Sequence, residues 1–68
     1  MFAHTRLIQC REQKKIDKTE LVYQLKRYGL NVSRNTIISW EKGDTQPSIE
    51  NLTMLCKFYN KPITFFFK

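Results

Sequence analysis

Arg34, Asn35, Ser39 and Lys42 lie within the stretch 32–43, V-S-R-N-T-I-I-S-W-E-K-G, and their types suit the reading of base edges. A guanidinium pairs with guanine O6 and N7, and a primary amide pairs with adenine N6 and N7. An aliphatic group such as Ile38 can meet a thymine methyl. These side chains act together only if a helix displays them on one face. The stretch predicts such a helix over 33–42. Ser33 is a suitable N-cap, Val32 before it can staple onto Ile37, and Gly43 suits the left-handed residue that closes a helix. At 3.6 residues per turn, Thr36, Ile37 and Trp40 share the side that must be buried. Arg34, Asn35, Ile38, Ser39 and Lys42 share the other. So short a helix does not hold alone in water, so its apolar side must dock on other elements.

The 68 residues allow one domain, 1–68, with one small core. A chain of this length buries only about 60% of its unfolded surface. Twelve Lys and Arg against six Asp and Glu give a formal charge of +6, a balance that favours a polyanionic partner. No apolar run approaches membrane-spanning length and no signal-peptide pattern opens the chain, so the expected compartment is the cytoplasm, with no membrane partner. Cys10 and Cys56 have no metal-ligand spacing and read as small buried residues. His4 is the single histidine, so neither a histidine-based metal site nor a conventional triad can be built. No metal, cofactor or enzymatic activity is expected.

Four further elements must position the 33–42 helix. Phe2 to Lys15 reads as a first helix with Ala3, Leu7 and Cys10 on one stripe. D-K-T-E opens a second, with Asp17 at the N-cap and Glu20 in a relative of the capping box. Leu21, Val22, Leu25 and Tyr28 form its apolar face, and Gly29 ends it. Lys18 opposes that helix's dipole, a conflict relieved by a phosphate there or tolerated at small cost in solvent. Ser48 caps a fourth helix carrying Ile49, Leu52, Leu55, Cys56 and Tyr59, with Asn60 at its left-handed end. Pro62 can start a last short turn. Three consecutive phenylalanines, Phe65, Phe66 and Phe67, cannot all face one small core. Either two of them finish the core or their surplus surface is a dimer contact.

Three segments resemble the repressor/Cro-type, or XRE, helix-turn-helix family over nearly the whole chain. C-R-E-Q-K-K-I-D-K-T-E-L resembles the end of its first helix and start of its second. S-R-N-T-I-I-S-W-E-K-G resembles its recognition helix, and P-S-I-E-N-L-T-M-L-C-K-F-Y-N its fourth helix. The resemblance implies an all-α, lambda-repressor-like fold of four to five short helices. It also implies a recognition helix in the major groove, as half of a homodimer on a palindromic operator. By position it assigns base reading to Arg34, Asn35 and Ser39, joined by Ile38 from its place on the same face. It assigns phosphate contact to Lys18, Thr45 and Gln46, with Ser33 and Lys42 at the helix ends. Arg11 and Glu41 match a partly buried ion pair.

Two departures stand out. K-R-Y-G-L-N at 26–31 exceeds the common pattern, so the second helix runs about a turn longer or the turn is a wider loop. Ile38 either meets a thymine methyl or packs under that insertion. The expected function is sequence-specific double-stranded DNA binding by a bacterial or phage transcriptional regulator. The alternative on the same scaffold is a protein-interaction module such as an antitoxin. An RNA-binding reading lacks an exposed aromatic platform for stacking bases.

Overall fold

The computed structural model describes residues 1–67. Three of its four helices begin and end by the same local chemistry. Helix α2 (Lys18–Tyr28) starts where the Asp17 carboxylate accepts from the Glu20 amide; α3 (Arg34–Lys42) starts where the Ser33 hydroxyl accepts from Thr36; α4 (Ile49–Tyr59) starts where Ser48 accepts from Asn51. Each closes on a left-handed residue, Gly29, Gly43 or Asn60. The next amide then folds back to an orphan carbonyl: Leu30 to Leu25 (2.8 Å), Asp44 to Ser39 (3.0 Å) and Lys61 to Cys56 (3.0 Å). Glu20 makes only half of the capping box, because its carboxylate accepts from Gln24 instead of reaching back.

Helix α1 is shorter than its sequence pattern predicts, spanning Thr5–Gln13 instead of Phe2–Lys15. At the front, the Ala3 amide donates to the Phe66 carbonyl (2.7 Å) and Phe2 forms an antiparallel bridge with Phe67, so these residues extend along the chain's other end. At the back, Lys15 turns left-handed with φ 58°, which no helix continues. The insertion resolves as the longer helix: α2 continues to Tyr28, and Leu30 beyond it is buried in the core. Tyr28 itself is 44% exposed, edge-on to the Phe58 ring at 5.6 Å. Apart from the Phe2–Phe67 bridge there is no strand pairing among the described residues, and no helix long and apolar enough to cross a membrane.

One core joins the elements. Leu7 and Cys10 of α1, Leu21 and Leu25 of α2, Ile37 and Trp40 of α3, and Leu52, Leu55, Cys56 and Tyr59 of α4 form a single cluster. Val32 packs beside it, placed to staple the start of α3. Thr36 is half-buried, not buried, because its hydroxyl turns to Ser33 Oγ (2.9 Å) at the helix start. Both cysteines are free, and burial pushes both thiols above their ordinary pKa, so they stay protonated.

The C-terminal aromatics divide between core and surface. A 3-10 turn, Ile63–Phe66, drops Phe66 fully into the core at 0% exposure. Phe65 is half-buried under the Arg6 guanidinium, 4.6 Å from the ring centre, and Arg6 Nη1 also donates to the Phe65 carbonyl (2.8 Å). Phe67 keeps 37% of its surface and meets the Phe2 ring edge-on. Of the three rings proposed for a dimer contact, Phe66 therefore presents nothing to a partner. Phe66→Ala should destabilise the monomer by about 3–5 kcal/mol, the cost of emptying a buried aromatic site. Urea unfolding followed by Trp40 fluorescence measures it, and a midpoint equal to wild type would place the tail outside the core.

Candidate nucleic-acid interface

The placement of α3 depends on one buried carboxylate. Glu41 is 5% exposed and is the buried charged residue of the core. Arg11 meets it with two parallel bonds, Nε to Oε2 at 2.9 Å and Nη2 to Oε1 at 3.1 Å. Its remaining nitrogen, Nη1, donates to the Ile16 carbonyl in the α1–α2 turn (3.0 Å). The hydrogen bond to Glu41 raises the guanidinium pKa further above its already high value, so its charge is permanent. One side chain thus fixes α1, the turn before α2 and the last turn of α3. The same turn is held from α1 a second time, by His4 Nδ1 at 2.9 Å from the Glu41 carbonyl oxygen.

With Glu41 turned inward, the outer face of α3 carries no acidic side chain. Arg34 and Asn35 are exposed in its first turn, and Arg34 makes no hydrogen bond or ion pair among the described residues. Lys42 is exposed at the other end, with its Nζ 3.7 Å from the equally exposed Asp44 carboxylate. Such a surface pair contributes little, about 0–1 kcal/mol, and yields readily to a stronger anion. Ile38 is half-buried and lines an open cleft with Ile8, Arg11, Lys18, Glu41 and Lys42, none of them from the 26–31 insertion. Lys18 and Lys42, from different helices, therefore border one depression with an aliphatic wall.

Other predicted site residues sit close to α3 in different ways. The Ser39 hydroxyl lies 2.8 Å from that of Thr45, and the Asp44 amide also returns to the Ser39 carbonyl, so Ser39 pins the loop after α3. Thr45 and Gln46 are exposed on that loop. The Ser33 hydroxyl is already engaged with Thr36 at the helix cap. Phe65, Phe66 and Phe67 gather with Phe2 and Arg6 and are not among the side chains lining the cleft beside α3. His4 and Ile16 were not singled out from sequence for these contacts. The His4 contact spans 37 residues, and no local pattern signals it.

Two packed helices, α2 and α3, joined by a short extended turn and buttressed by α1 and α4, define a helix-turn-helix domain. A model of the family described as Helix-turn-helix matches residues 23–66, more than half of the chain, and the chain belongs to that family in its XRE type. The chain is also 43% identical over 35 residues to the cryptic phage CTXphi transcriptional repressor RstR of Vibrio cholerae. The aligned stretch covers 52% of this chain and 32% of the repressor, so it spans about a third of that relative's length. No solved structure matches the chain. The domain is therefore of the helix-turn-helix class.

Removal of either member of the Arg11–Glu41 pair should be costly, because the other charge is left in a core without a partner. Arg11→Ala and Glu41→Ala should each lose about 3–5 kcal/mol. Asp44→Ala, which breaks only the exposed pair, should lose no more than about 1 kcal/mol. Chemical unfolding of the three variants checks the contrast, and equal midpoints would contradict it.

Proposed function

We propose that the protein binds double-stranded DNA sequence-specifically as a bacterial or phage transcriptional regulator, inserting α3 into the major groove. The observation that carries this reading is the charge arrangement of α3. Its acidic residue is neutralised inside by Arg11, which leaves an outward face of Arg34, Asn35, Ile38, Ser39 and Lys42. Arg34 and Asn35 stand at the start of the helix, where side chains reach base edges. Lys18 and Lys42 bracket the cleft beside α3 and suit phosphates, as do Thr45 and Gln46 on the loop. Ser33 can add only its backbone amide or a shared hydroxyl, since its oxygen already caps the helix. The similarity to a phage repressor supports the regulatory role.

The reading extends to a homodimer on a palindromic operator, by the symmetry that two half-sites require. Of the three C-terminal rings, Phe67, with Phe2 beside it, and the half-buried Phe65 keep surface for that contact. Sedimentation across a concentration series, with and without operator DNA, should show a dimer on DNA. A single copy bound at saturation would remove the dimer.

Selection of duplexes from a random pool at moderate salt should enrich a palindromic site. Arg34→Ala should then cost roughly 1–3 kcal/mol on that site and relax preference at one base pair. Lys18→Ala should weaken all duplexes alike and flatten the salt slope by about one counterion. Equal loss on specific and random DNA for Arg34→Ala would make it a phosphate contact. A pool with no enriched sequence would overturn the DNA reading in favour of a protein-interaction module such as an antitoxin.

A further inference from the structure

Helix α1 has no side-chain cap at its own start. His4 occupies the N-cap position there, but its imidazole reaches across to α3. The closing motif of α3 satisfies the carbonyls of Ser39 and Trp40 through the amides of Asp44 and Gly43. The Glu41 carbonyl, next in line, has no amide to meet it within the helix, and His4 Nδ1 supplies the hydrogen. The ring also lies flush on Gly43: a Cβ at that position would fall 2.8 Å from His4 Cδ2 and 2.9 Å from Nε2. Gly43 adopts φ +84° there, so its missing side chain serves both the left-handed turn and the seat of the imidazole. The loop bearing Thr45 and Gln46 begins at this point.

We infer that His4 is a positioning residue for DNA binding: its bond to the Glu41 carbonyl and its ring on Gly43 hold the last turn of α3 and the loop 44–46 in place against the DNA backbone. This rests on the DNA-binding reading above. Arg11 holds the same turn through the Glu41 side chain, whereas His4 holds it through the main chain, so rotation of the turn about either anchor is blocked by the other. Lys42, Thr45 and Gln46 take their positions from it.

Three substitutions separate the hydrogen bond from bulk. His4→Ala removes ring and donor, His4→Phe keeps a ring without the donor, and His4→Asn keeps an N–H at the place of Nδ1. Hydrogen exchange at the Gly43, Asp44 and Thr45 amides, taken relative to the amides of α4, should accelerate in His4→Ala and His4→Phe and return towards wild type in His4→Asn. Affinity for the selected duplex should follow the same order, falling about three- to tenfold without the donor, the scale of one lost hydrogen bond. Exchange that rises equally throughout the chain, or an Asn variant no better than Phe, would overturn the inference. A wild-type protein that selects no duplex would defeat the DNA-binding reading by itself, and the exchange ratios would still decide whether His4 holds the turn.

Discussion

A carboxylate inside a core this small must have its partner, and the molecule is arranged around that demand. Glu41 sits among Leu7, Leu21, Ile37, Trp40, Leu55 and Tyr59. Burial pushes the Tyr59 phenol pKa well above its ordinary value, and the Glu41 charge adds to the effect. Both features mark how dry this region is. A buried ion pair adds little net stability over a well-packed apolar pair, since desolvation offsets most of the attraction. Its value here is directional. The two-pronged geometry of Arg11 admits one orientation of α3, where an apolar contact would tolerate several. The third guanidinium nitrogen extends the same restriction to the turn that launches α2.

That restriction matters because, in the DNA-binding reading proposed above, the two helices have different tasks. Helix α3 presents groups that suit base edges, while the start of α2 presents Lys18 beside the same cleft as Lys42. A shift of α3 along its axis would separate these roles. The Leu30 side chain, buried just past the left-handed Gly29, sets how far α2 extends before the chain turns back. The extra turn of α2 is accommodated away from the Ile38 face, with Tyr28 resting on Phe58 of α4. Lengthening one helix therefore leaves the cleft beside the other intact.

The limits of α2, α3 and α4 were readable residue by residue, because the signals act over three or four positions. Asp17, Ser33 and Ser48 accept from amides three residues on, and Gly29, Gly43 and Asn60 turn the backbone left-handed on the spot. Two departures are local, the half-burial of Thr36 beside Ser33 and the left-handed Lys15 that ends α1, and the others involve distance. Phe2 looked helical because nothing nearby forbids it; its bridge partner is Phe67. The phenylalanine run could not be apportioned until a 3-10 turn sent Phe66 inward and left Phe67 outside. Arg11 and Glu41, 30 residues apart, were paired only through family resemblance, since neither carries a local mark of the other. Ser39 looked like a simple base reader, and its hydroxyl contact with Thr45 depends on a loop path that the sequence does not specify.

The seam between residues 2–3 and 66–67 also bears on how the protein is made. The Ala3 amide waits for the Phe66 carbonyl, and the core has a vacancy until the Phe66 ring arrives. Closing so long a loop is entropically slow relative to local helix formation. On the ribosome, the first residues emerge long before those that complete their surroundings. Helices α2 to α4 carry their own side-chain caps and α1 lacks one, but helices this short all need tertiary contacts to persist. The nascent chain is thus left with an incomplete apolar interior until translation has passed residue 66. Arrival of Phe66 then fills the core and supplies the carbonyl that the Ala3 amide meets.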